Sequence, residues 1–203
     1  DGENDLFTKD DLLANFEPTD VSKGGSIFDP EKFLWMAGEY VRRDTPERLT
    51  ERCVPFLVDA GLASDDELTE RRDWLVRAVA AHQERFRLYA ELPDLIRYLF
   101  ADDAGLAWDP KAEKGAAKHE GAADTLEVYA AWLANQSATG EELGTATKDW
   151  VKERGIKIPA LFQPLRCALT GAPGGADLFD IIGLLGPEAS QARIADAAAR
   201  LRA

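Results

Sequence analysis

Apolar residues recur along this chain at the three- and four-residue spacing of helices and hardly ever at the alternation of strands. Asp29-Pro30 reads as an N-cap followed by proline in the first helical position, opening a helix to about Arg43 with Phe33, Leu34, Met36, Tyr40 and Val41 as its apolar stripe. Thr45-Pro46 repeats that opening, Gly61 closes the helix, and Pro55 inside it predicts a kink. Ser64 with Glu67 forms the pattern of a capping box, ahead of one long helix carrying Leu68, Trp74, Leu75, Val79 and Phe86. A further helix begins at Pro93 and runs to Phe100, and residues 101–110 read as a connection. Residues 111–121 are polar and marginal, whereas Leu126 to Ala134 is amphipathic. Thr139 with Glu142 predicts a second capping box, for a helix that stops at Gly155. Asp177 caps a helix over 178–185, and Gly186-Pro187 breaks the chain before a last Ala- and Arg-rich helix. The expected fold is all-α, assembled from about ten short helices with no repeat period and no coiled-coil heptads.

A chain of 203 residues, 45% hydrophobic and 30% charged, is long enough for one good core or two small ones. Cys53 and Cys167 both lie in apolar helical patterns and read as buried, reduced thiols of a cytoplasmic protein. No run reaches the ~18 apolar residues of a membrane span, and no signal-peptide pattern opens the chain, so no membrane partner is expected. The chain opens at Asp1 without a methionine, which fits an excised piece.

Net charge is −13, which by itself argues against a nucleic-acid partner. Its distribution is uneven. Basic residues gather at Arg71-Arg72, at Arg85 and Arg87, and between Lys148 and Lys157, while acids gather in 1–11, 65–70 and 188–196. One basic face is sufficient to meet RNA.

No catalytic constellation stands out. His82 and His119 are isolated from each other and from cysteine, and read as surface or half-buried structural histidines. The glycine-rich stretch 171–175 follows no strand, which argues against a phosphate-binding loop. Ser22 and Ser26 have no base near them in sequence, and Asp65-Asp66 reads as first-turn acids facing a helix dipole. Catalytic, cofactor and metal residues are therefore expected to be absent.

Three stretches carry a family resemblance. They are FQPLRCALTGAPGGADLF (162–179), VSKGGSIFDPEKFLWMAGEY (21–40) and the weaker ERFRLYAEL (84–92). In this order and spacing they resemble the C-terminal anticodon-binding region of bacterial glutamyl-tRNA synthetases. The resemblance implies two small helical-bundle anticodon-binding domains, at 48–100 and 101–203, preceded by the end of a stem-contact region at 1–47. It implies a cytoplasmic, monomeric tRNA-binding protein with no DNA partner. ATP and Mg²⁺ are implied only for a catalytic domain with HIGH- and KMSKS-type motifs, of which this chain has no trace, so it alone is expected to be inactive.

The resemblance also assigns residues. Arg166 matches the arginine that contacts the central anticodon base, a uracil, whose carbonyls suit a donor-only guanidinium. Arg85 matches the arginine that reads a third-base cytosine and rejects the guanine of glutamine tRNA, with Arg87 as the alternative register. Gly175, Ala176 and Leu178 fall in the anticodon-facing loop, with Leu178 and Phe179 either a base-facing apolar pair or core. Trp35 and Tyr40 read as core or domain-interface residues. Three departures stand out: Ala37 where many relatives have Asn, Pro159-Ala160 where many have Gly-Lys, and Gly175-Ala176 where some have Thr-Pro. The acidic charge and the altered loop lend some weight to an alternative, a helical protein-interaction module derived from a synthetase that no longer binds RNA.

Overall fold

The computed structural model describes residues 6–17, 19, 24–25, 27–103 and 105–202. Val21 to Lys23 and Ser26, part of the second matching stretch and including both serines considered above, lie outside them. The helices in order are α1 (Lys9–Asn15), α2 (Pro30–Arg43), α3 (Pro46–Asp59), α4 (Asp65–Glu70), α5 (Arg72–His82), α6 (Leu92–Ile96), α7 (Pro110–Ala117), α8 (Ala122–Leu133), α9 (Gly140–Glu153), α10 (Ile158–Thr170) and α11 (Leu178–Arg200). Short 3₁₀ turns lie at Gln83–Arg85, Tyr89–Glu91 and Arg97–Phe100, and the described residues contain no strand.

The openings follow local chemistry. Asp29 accepts from the amides of Glu31 (2.9 Å) and Lys32 (3.1 Å), with Pro30 supplying a first residue that needs no partner for its nitrogen. Asp109 and Asp177 do the same for α7 and α11, accepting from Lys111 (2.7 Å) and Phe179 (2.8 Å). Gly186, at φ 82° and ψ 172°, divides α11 just before Pro187, where the sequence places the break.

Other expectations need correction. The long helix from Ser64 is two helices, separated at Arg71 (φ −102°, ψ 24°), whose guanidinium lies 3.9 Å over the Trp74 ring. It ends at His82, because Phe86 adopts an extended backbone and folds back into the core. The polar stretch after Asp109 is helical as α7. Its Ala112 and Ala116, four residues apart, pack on Cys167 of α10, a tertiary contact that outweighs weak local patterning. Thr139 makes no side-chain cap, so the second capping box does not form. Helix α3 continues through Pro55 to Asp59.

Two cores result. The first unites Leu49, Cys53 and Leu57 of α3 with Leu75 and Val79 of α5, Phe86, and Leu92 and Ile96 of α6. The second unites α8 to α11 through Leu126, Tyr129, Trp150, Leu161, Leu165, Ile181 and Ile194. Leu184 of α11 inserts into the first core, and Trp74 Nε1 donates to its carbonyl at 2.9 Å. Ala81 and Tyr98 touch both cores, so the groups between them are held from two sides. Both cysteines are free and buried, and burial pushes their thiols up to about 12. Trp35 and Tyr40 are exposed rather than core, and the Tyr40 hydroxyl bonds the backbone of Phe7.

Candidate nucleic-acid interface

The junction of the two cores carries the residues of interest. Arg85 ends the Gln83–Arg85 turn that follows α5, not the face of a long helix. It is exposed and makes no hydrogen bond or ion pair among the described residues. Its support lies beneath it. Gln83 Nε2 donates to the carbonyls of Val41 (2.8 Å) and Asp44 (2.9 Å), which fastens the turn to the C-terminal end of α2.

His82, one residue earlier, is fully buried, not the surface or half-buried residue its sequence context suggests. Its Nδ1 lies 2.7 Å from the carbonyl of Ala78, which can only accept, so Nδ1 carries the proton. Nε2 is then free to accept from the Tyr98 hydroxyl at 3.2 Å. Burial holds the imidazole below its usual pKa, the Ala78 carbonyl opposes this, Arg85 adds to the lowering, and Asp180 opposes it. Burial likewise raises the Tyr98 phenol. The neutral pair locks the end of α5 to the turn at Arg97–Phe100.

Arg166 is half-buried on α10 and is held by its own side chain. Nη1 donates to the carbonyl of Ala176 at 2.8 Å, bridging the helix to the loop that precedes α11. Burial lowers its pKa, Asp177 and Tyr98 offset part of this, and the positive charge of Arg85 adds to the lowering. The two arginines therefore share one electrostatic neighbourhood. A cleft of about 480 Å³ opens beside the loop that Arg166 holds, with His82, Tyr98, Thr170, Gly175, Ala176 and Ile181 among its lining.

The loop residues have different parts in this arrangement. Gly175 stands at φ 146°, where L side chains are strained, and a Cβ there would meet Arg166 Nη1 at 3.6 Å, an ordinary van der Waals contact, so the backbone and not space is what favours glycine. Ala176 and Leu178 are each 2% exposed, and Phe179 is also buried. Of the two readings for Leu178 and Phe179, the core reading is the one their placement supports. Leu178 packs inward because α11 must bury that face. The contribution of Ala176 is its carbonyl, which anchors Arg166. Gly171 shapes the start of the loop: at φ 68° a Cβ there would fall 2.2 Å from the carbonyl oxygen of Ala107.

The supporting parts of Gln83, Tyr98 and Arg193 are not legible in the sequence, and Arg193 is the most deeply buried of the three. Arg193 of α11 is buried and donates to Asp103, to the carbonyl of Leu169 and to that of Ala101, each at 2.9 Å. It ties the connection between the cores to the end of α10, three residues beyond Arg166. The available signal was a charged residue inside the buried stripe Ser190, Ile194 and Ala197. The arrangement as a whole offers two guanidiniums from a rigid junction, one free and one fixed, to a partner rich in acceptors.

A family model described as an anticodon binding domain matches residues 48–198. A glutamate–tRNA ligase of Thermus thermophilus is 36% identical over 192 residues, covering 94% of this chain and 39% of its own length. That of Geobacillus thermodenitrificans is 33% identical over 192 residues, covering 93% of this chain and 38% of its own. The chain thus spans about two fifths of the length of the curated relatives it matches. A crystal structure of a glutamate tRNA ligase from Elizabethkingia meningosepticum superposes with a TM-score of 0.79 at 21% identity, covering 95% of this chain and 36% of that one, which shows a shared all-α fold.

Proposed function

Since the chain belongs to the anticodon-binding domain family, we infer that it reads the anticodon loop of glutamate tRNA as part of a glutamate–tRNA ligase. The observation that carries this reading is the placement of Arg85, exposed and unpartnered, in the neighbourhood of Arg166. An unpaired loop is recognised by contacts to splayed base edges, and guanidinium is a donor-only fork suited to uracil and cytosine carbonyls. Cytosine presents two acceptors to Arg85. Guanine would present an N–H and an amino group there, beside one carbonyl, leaving donors face to face at a cost of about 1–3 kcal/mol. Exclusion of glutamine tRNA follows from that mismatch.

Ligation of glutamate, with its ATP and Mg²⁺, belongs in this reading to the part of the relatives that this chain does not span. The chain alone is inactive, monomeric and cytoplasmic. No helix among the described residues is long and apolar enough to cross a membrane. Fluorescence titration with a labelled glutamate anticodon stem-loop tests the reading. Binding that weakens steeply with added salt is expected, because counterions return to the phosphates. Failure of the stem-loop to bind at low salt would overturn it in favour of a protein-interaction module.

A further inference from the structure

A second cleft, of about 460 Å³, lies between α5, the first residues of α9 and the first turns of α11. Its apolar wall is formed by Ala80, Ala81, Gly183 and Leu184, and its polar groups are Arg77, Asp180, Thr139 and Gly140. Arg77 is exposed and makes no hydrogen bond or ion pair among the described residues. Thr139 leaves α9 without a side-chain cap, so its hydroxyl and the Gly140 amide are open to a ligand. Asp180 is turned toward the same place, its Oδ1 3.7 Å from where a Cβ on Gly140 would be. Asp180 is an exposed residue, yet partial burial of its carboxylate first and the neighbouring Asp177 second raise its pKa above the usual value, with His82 opposing. A hydrogen bond from an uncharged donor relieves such a carboxylate without adding charge.

The cleft draws on the same two helices, α5 and α11, as the interface already described. Arg77 lies about 9 Å before the Gln83–Arg85 turn along α5, by the rise of a helix. Asp180 is electrostatically coupled to His82, and Asp177 to Arg166. Charge also gives the cleft a direction. Glu141 and Glu142 stand exposed in the first turn of α9 and repel a phosphate from that element, whereas Arg77 on α5 attracts one.

Resting on the anticodon-loop reading, we propose that this cleft takes one further nucleotide of the loop, outside the three anticodon bases. The base lies against Ala80, Ala81 and Gly183 and donates an exocyclic amino hydrogen to Asp180, with Thr139 and the Gly140 amide facing its ring acceptors. Arg77 meets its phosphate. Selection is for a base bearing an amino group at that point.

Stem-loops carrying either adenosine or purine riboside, which lacks the amino group, at each loop position flanking the anticodon test this. At one position the wild-type chain is expected to bind adenosine about tenfold tighter than purine riboside. Asp180→Ala should abolish that difference, and Arg77→Ala should weaken both RNAs alike. An amino-dependent difference at no position, or one that survives Asp180→Ala, overturns the proposal. So does equal strengthening of both RNAs by Asp180→Ala and Asp180→Asn, which would mark the carboxylate as merely repelling phosphates. Binding that needs Arg85 and Arg166 but ignores Arg77 and Asp180 overturns this inference alone. Absence of any stem-loop binding overturns the functional reading, and this inference with it.

Discussion

Arg85 stands on a three-residue turn with its side chain in solvent, whereas Arg166 projects from the middle of a helix and is fixed by its own hydrogen bond to Ala176. In the first region, order is supplied from behind. Gln83 holds the turn to α2, His82 and Tyr98 hold the end of α5, and none of these is hydrogen-bonded to the guanidinium. In the second, the guanidinium is itself part of the framework. A free guanidinium retains all its donors for a ligand but must lose side-chain freedom on binding. A fixed one is preorganised and has one donor already engaged. Substitutions in the two regions should therefore differ in kind: at Arg85 they touch binding alone, at Arg166 both binding and the loop.

The largest effect should come from removing the brace behind Arg166. Arg193→Ala leaves two backbone carbonyls and Asp103 without their shared donor and opens a cavity at the core junction. A loss of about 3–4 kcal/mol is expected in urea unfolding, together with weaker RNA binding. A next, smaller effect is expected at Arg166 itself. Arg166→Ala should lower stability by about 1 kcal/mol through the lost Ala176 bond and weaken stem-loop binding by tenfold or more. Unchanged stability would mean that Arg166, like Arg85, is only a reader, and would erase the distinction.

The smallest effect concerns pH. The folded His82 resists protonation while the unfolded chain takes a proton near the usual value of 6.5. Its contribution to stability is thus complete above that pH and is lost as pH falls toward the lowered folded value. The melting temperature should drop between pH 7 and pH 5.5, and His82→Gln should flatten that drop. An identical profile in the variant would show that other groups govern it.

Much of the helical framework is legible in the sequence because cap and proline signals act within a few residues. Asp29-Pro30, Thr45-Pro46, Asp177 and Gly186-Pro187 all fall where the chain turns. Thr139 shows the limit: the pattern of a capping box is present, yet its side chain does not cap the helix, since pattern alone does not fix a rotamer. Helix α7 and the break at Arg71 depend on tertiary contacts with Cys167 and within the first core, which local periodicity does not encode. At the interface, Arg85 and Arg166 were named by family resemblance, not by spacing. That they share a neighbourhood follows only from the fold, as do the parts of Gln83 and Arg193, whose partners lie some 40 and 90 residues away.

The central claim is that Arg85 is a free donor aimed at the third anticodon base. It is tested most directly by titrating wild type and Arg85→Gln with two stem-loops that differ only in cytosine or guanine at that base. The wild-type chain should prefer cytosine by about tenfold, and Arg85→Gln should lose most of that preference at unchanged melting temperature. Equal binding of both stem-loops by wild type, or a preference that survives Arg85→Gln, would contradict the account.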